Sequence, residues 1–259
     1  MKQSTFLVVL VLMTVFTAFA AKIKEPRITN GDVAAKGQFP WQVGVVATRS
    51  GWINYCGGAL ISQEWVLTVA HCIYEAEAVI IIYDTLSLED PNANVKKTEK
   101  YIVHESYDNK TLQNDVGLIL LDDPLPDDKV QAIALAEDEL EAGTQVTVIG
   151  WGLTSDDESE FYDVLRYMTV PTIDNEKCAQ VYGLDVVQPN VVCTDPGNPV
   201  KNPCKGDGGD PAIVDVDSNP THVALFSFLS TYGCEDPDFP AGFTRTAFYR
   251  KWIRDLTGI

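Results

Sequence analysis

The residues whose types and spacing could do chemistry are His71, Asp115 and a glycine-rich loop far along the chain. His71 lies in Thr68-Val69-Ala70-His71-Cys72, and Asp115 in Asn114-Asp115-Val116-Gly117-Leu118-Ile119. The loop reads Cys204-Lys205-Gly206-Asp207-Gly208-Gly209-Asp210-Pro211. A histidine near a carboxylate can move a proton close to neutral pH. Opening an amide bond also needs an attacking atom, and the loop offers only a hydrogen at position 208. Its glycines still present backbone N–H groups, which can stabilise a developing oxyanion. Taken singly, a histidine is more often a satisfied core residue than a catalyst.

Short apolar or alternating runs must position these residues. They include Trp41–Val46, Ala59–Ile61, Trp65–Leu67, Val79–Ile82, Val116–Leu121, Thr144–Ile149 and Val223–Phe226. Runs of strand length separated by Gly, Pro, Asp and Ser predict an all-β sandwich or barrel. A helix is expected from about Thr246 to Leu256, with Phe248, Trp252 and Leu256 forming one apolar stripe against the body. No internal repeat or low-complexity tract interrupts the pattern.

The chain has 259 residues, 19 basic and 37 acidic, for a net charge of -18. That surface disfavours nucleic acid and anionic membranes as partners and could attract a cationic one, but a solvated surface that resists aggregation is the favoured reading. Lys2, the apolar stretch Phe6 to Phe19 and Ala18-Phe19-Ala20 read as a signal peptide over 1–20. The stretch is short for a bilayer span, which needs about 20 residues. Secretion makes the six cysteines three disulfides, for which counting alone allows 15 connectivities.

Taken in order, the motifs resemble those of the chymotrypsin/trypsin serine protease family. Arg27-Ile28-Thr29-Asn30-Gly31 is similar to a zymogen activation site, Phe39-Pro40-Trp41-Gln42-Val43 to a first strand, and the His71 and Asp115 segments to the histidine and aspartate loops. Gly150-Trp151-Gly152 and Gly242-Phe243-Thr244-Arg245 resemble later landmarks, and Gly206 to Pro211 resembles the G-D-S-G-G-P loop with glycine in the place of serine. The resemblance implies two six-stranded antiparallel Greek-key β-barrels and a C-terminal α-helix, with an activation peptide at 21–27 and the protease-like domain at 28–259. It pairs Cys56 with Cys72, Cys178 with Cys193 and Cys204 with Cys234. It makes His71 and Asp115 the base and its orienter, Gly208 the site of the lost nucleophile, and Gly206 with Gly208 the oxyanion hole. Cleavage after Arg27 would free an Ile28 amine to pair with Asp207.

Three departures accompany the missing serine. Asp210 stands where the family has glycine, Asn202 is expected on the floor of the specificity pocket, and Leu229 replaces a glycine beside it; Ala241 completes that pocket. The expectation is a secreted, catalytically inactive, monomeric homologue that binds a protein or peptide, such as a protease inhibitor or cascade component. The alternative is an endopeptidase with residual activity. Asn109-Lys110-Thr111 is a glycosylation sequon. The acidic residues Glu75, Glu77, Asp84, Glu89 and Asp90 have no clear metal spacing, so neither metal nor cofactor is expected.

Overall fold

Strand-forming runs become strands here because each can bury one face, and antiparallel hairpins join them cheaply. The computed structural model describes residues 30–157 and 164–259. The expected signal and activation segments, with Arg27 and Ile28, lie outside the described residues. After a short β1 (Asp32–Val33) come β2 (Gln42–Arg49), β3 (Trp52–Leu60), β4 (Trp65–Thr68), β5 (Ala78–Tyr83), β6 (Asn94–Thr98), β7 (Tyr101–Val103) and β8 (Gly117–Leu120). Strands β2 to β8 form one sheet in the order β6-β5-β2-β3-β4-β8-β7. It curls around Val43, Val45, Leu60, Leu67, Ile81 and Leu118. The β2–β3 hairpin turns on Ser50 (φ 43°) and Gly51 (φ 86°), left-handed values that match the twist of a tight two-residue turn.

The second lobe contains β9 (Ala134–Leu135), β10 (Gln145–Gly150), β11 (Arg166–Ile173), β12 (Val191–Thr194), β13 (Pro211–Val214), β14 (Thr221–Phe228) and β15 (Ala241–Arg245). Six of them close a ring, β10-β13-β14-β15-β12-β11, through antiparallel pairing of β11 with both β10 and β12. Strand β1 adds to β11, and β9 lies parallel to β14. The trypsin-like all-β architecture is therefore present, but only this lobe is a closed six-stranded barrel. The first lobe is a curled sheet of seven strands whose edges, β6 and β7, remain apart. Lys96 and Lys97 on β6 suit an edge left to solvent.

The lobes meet through a shared apolar layer that includes Phe39, Trp41, Ala59, Ile149, Trp151 and Ile213. The three disulfides join the cysteines as the resemblance implied. A four-residue helix α1 (Ala70–Ile73) carries His71, α2 (Asn175–Tyr182) carries Cys178, and α3 (Arg250–Thr257) ends the chain. The expected helix is a 3-10 turn (Ala247–Tyr249) followed by α3, and its apolar stripe is borne out only in part, since Trp252 does pack on the first lobe's core. Phe248 and Leu256 are exposed, whereas Tyr249 and Ile253 are buried and pack on the first lobe. Both sets have helical spacing; what selects Tyr249 is its hydroxyl, which donates to Asn114 Oδ1 at 3.0 Å and accepts from Asn190 Nδ2 at 2.5 Å.

Candidate active-site cleft

His71 follows β4 directly, and the Cys56–Cys72 bridge ties its helix back to β3. Asp115 lies just before β8 and is 1% exposed. One of its carboxylate oxygens accepts the His71 backbone N–H at 2.8 Å, and the other accepts from His71 Nδ1 at 2.8 Å. Ser227 Oγ donates to that second oxygen at 2.6 Å, and Thr244 Oγ1 to the Asp115 carbonyl at 2.9 Å. Burial works against a charged imidazole, but the adjacent Asp115 charge and its hydrogen bond outweigh it, holding the His71 pKa above its ordinary value. Nδ1–H donation also leaves Nε2 facing outward as the basic nitrogen.

What Nε2 faces is Gly208. A Cβ built on that glycine would lie 2.6 Å from His71 Nε2 and 3.1 Å from its Cε1, closer than a side chain can come. The ring thus stands against the bare backbone. The loop itself is held firmly. Gly57 N–H donates to Gly208 O at 2.8 Å, and Gly209 N–H to Phe226 O at 2.8 Å. Gly209 has φ 82°, and a Cβ there would run into Thr68 Oγ1 and the Gly57 carbonyl, so only glycine fits.

Behind the loop sits a pair of carboxylates, each 1% exposed. Asp207 accepts from Gly152 N–H at 2.6 Å and Cys204 N–H at 2.8 Å, and Asp210 accepts from Gln42 Nε2 at 2.5 Å. The two carboxyls crowd the same space beside Gly150, and like charges buried this close disfavour ionising both. Burial pushes Asp207 up to about 6, against its backbone donors. Burial and then the Asp207 charge hold Asp210 well above the usual carboxylate range. Bare glycines at 150 and 152 make room for both.

A cleft of about 470 Å³ opens beside His71, lined by Gly206, Gly208, Ser227, Phe228 and Leu229 among others. A second hollow of about 540 Å³ lies on the other flank of His71, beside Arg49, Trp52 and Ile53 of the β2–β3 hairpin. His71, Asp115, Gly206, Gly208 and Leu229 therefore come together as the sequence suggested. Asn202 and Ala241 do not reach the cleft: both are fully buried, and Asn202 Nδ2 donates to Phe239 O at 3.2 Å. Leu229, by contrast, lines the cleft and packs against the Cys204–Cys234 bridge with Leu153 and against the barrel cluster that contains Ala241. Asn109 is exposed on its own loop.

Three contributors escaped the sequence reading. Ser227 braces Asp115, and its position one residue before Phe228 in a protease-like run was the available signal. Gln42 supports Asp210 from β2, a contact across 168 residues with no local signature. Asp156 clamps the far rim, accepting the N–H groups of Cys234 at 2.8 Å and Glu235 at 3.2 Å.

Residues 28–253 match the profile of the Trypsin family. The chain belongs to that family. This trypsin-family chain is 35% identical over 246 residues to a collagenase of Hypoderma lineatum, covering 92% of the chain and 90% of the relative. It is 36% identical over 238 residues to brachyurin of Leptuca pugilator, covering 90% and 99% respectively. The solved structure of HL collagenase superposes with a TM-score of 0.78 at 33% identity, over 89% of this chain and 98% of that one.

Proposed function

We propose that this trypsin-family chain is a secreted, non-catalytic homologue that holds a polypeptide across His71 without cutting it. The observation that carries the reading is Gly208: the family's attack needs a hydroxyl within reach of Nε2, and the ring instead abuts bare backbone. Loss of such a nucleophile lowers turnover by roughly a millionfold in a comparable triad. The hollows on either side of His71 support binding of an extended segment. The ligand class is a protein or peptide, including protease inhibitors and cascade components, with no nucleic acid or membrane involved.

A second reading, endopeptidase activity, is favoured by the relatives, which are named as a collagenase and a brachyurin, and by the intact His71–Asp115–Ser227 chain. A fluorophosphonate probe separates the two. No covalent label is expected, whereas a stable adduct on Ser227 or any other residue of the cleft would establish the enzyme. N-terminal sequencing of the same secreted sample is expected to begin at Ile28 and glycan analysis to find Asn109 occupied. A start at Ala21 or Lys22 would remove cleavage after Arg27 from the account.

A further inference from the structure

Two backbone donors in the cleft have no protein acceptor. Along the loop Asp207 N–H bonds to Cys204 O and Gly209 N–H to Phe226 O, but the N–H groups of Gly206 and Gly208 donate to nothing among the described residues. His71 Nε2 is likewise without a hydrogen-bond partner there, since only Nδ1 is engaged. All three groups border the same cleft. In a serine enzyme the hydroxyl stands between them. Here no hydroxyl intervenes, and the ring closes on the bare Gly208 backbone at the edge of the cleft.

The missing hydroxyl changes which ligand fits in the cleft. An intact amide offers one carbonyl oxygen, enough for the two N–H groups. A carboxylate offers two oxygens and a negative charge. One oxygen can take the Gly206 and Gly208 donors while the other meets Nε2, with no hydroxyl to crowd or repel it. When His71 is neutral, Nδ1–H points at Asp115 and Nε2 is a lone pair that repels an anion. When His71 is protonated, Nε2–H donates a charge-assisted bond, the stronger kind. The other titratable groups around the ring are compatible with this. Asp115 lies behind it and is bonded to Nδ1, and burial keeps the Tyr107 phenol neutral by pushing its pKa up. Arg49 is paired with Glu75 on one flank. Across the cleft Lys205 adds positive charge, while the Asp156 carboxylate is occupied by the N–H groups of Cys234 and Glu235.

Resting on the binding reading above, we infer that the Gly206–Gly208–His71 corner is a carboxylate seat, and that its ligand is the free C-terminus of an already cleaved polypeptide. The hollow lined by Phe228 and Leu229 receives the residues before that terminus. The protein then retains chains that other proteases have cut, in preference to intact ones.

The probe is a mixture of N-acetylated tetrapeptides of randomised sequence ending in a free carboxylate, set against the same mixture ending in an amide and against acetate. Binding is followed by NMR on the His71 Cε1–H signal, assigned by its loss in His71→Gln. At mildly acidic pH the acid mixture is expected to bind at least about tenfold more tightly than the amide, as a charge-assisted contact should. It should also raise the His71 pKa and lose its advantage once pH climbs past that value. Gly208→Ser, which returns a hydroxyl to the seat, is expected to abolish the preference, and acetate alone to leave the signal unmoved. Equal binding of acid and amide would overturn the carboxylate seat while the binding reading stands. No binding of either would overturn both, and acetate matching the peptides would overturn the chain-end assignment.

Discussion

At the scale of single residues the decisive fact is spatial as much as chemical. Restoring a serine at 208 does not simply return an attacking group, because its Cβ would lie 2.6 Å from His71 Nε2. The ring must recoil, and Asp115 grips the histidine at both its backbone N–H and Nδ1. A catalytic group misplaced by about 1 Å can lose 10²-fold in rate. Gly208→Ser is therefore expected to react with a fluorophosphonate, but about 10²-fold more slowly than an active trypsin control. Labelling at the control's rate would show that the ring yields freely. Gly208 itself was legible in the sequence, as were His71 and Asp115, because these residues sit inside contiguous motifs. Leu229 was legible as a departure, yet its packing against the Cys204–Cys234 bridge and the Ala241 cluster depends on where a flexible side chain goes.

At the scale of elements, the buried acids tie the loop before β13 to β2 and to the end of β10. Their pH dependence has a definite sign. Both carboxyls have folded pKa values above the unfolded value near 3.9, Asp207 at about 6 and Asp210 well raised. The folded state then holds extra protons above about pH 4, so the pair's contribution is full below that pH and is lost as pH rises through 6 and beyond. His222 works oppositely: burial holds it at about 3, so its contribution is present above about 6.5 and lost as pH falls towards 3. The pair must be read by difference. Asp210→Asn, which removes one charge, is expected to gain urea stability over the parent steadily from about pH 4 to 8. A difference that stays flat over this range would refute the mutual repulsion of the two buried acids. Sequence placed Asp210 as an oddity in the same loop as Asp207, but Gln42 beneath it was visible only once β2 had been folded against the loop.

At the scale of the whole molecule, the site exists because two lobes meet. His71 and Asp115 come from the first lobe, whereas Ser227, Gly206 and Gly208 come from the second. The terminal helix helps clamp them: Ile253 is fully buried in the first lobe's core, and Tyr249 bonds Asn114, the neighbour of Asp115. Ile253→Ala is expected to cost about 2–5 kcal/mol, measured by urea unfolding, and to broaden the His71 NMR signal as its support loosens. A loss below about 0.5 kcal/mol, the size of an ordinary surface change, would mean the helix is only an appendage. The helix was foreseen from its period; the face it buries was foreseen only in part. Phe248 and Tyr249 are adjacent aromatics, and only the asparagines waiting on the two lobes distinguish them.

The sequence alone determined the family, the strand-rich class, the pairing of cysteines through that family, and the absence of a hydroxyl at 208. Each is carried by residue identity within a short span, where covalent chemistry and local periodicity leave little choice. Tertiary structure alone decided that one lobe closes and the other stays a curled sheet, that Asn202 is fully buried, and that two acids are buried side by side. It also decided that the Gly206 and Gly208 N–H groups and Nε2 border one cleft without a partner among the described residues. Those outcomes depend on contacts between elements distant in the chain, such as Gln42 with Asp210 across 168 residues, whose energies arise from burial and distance that no local pattern records.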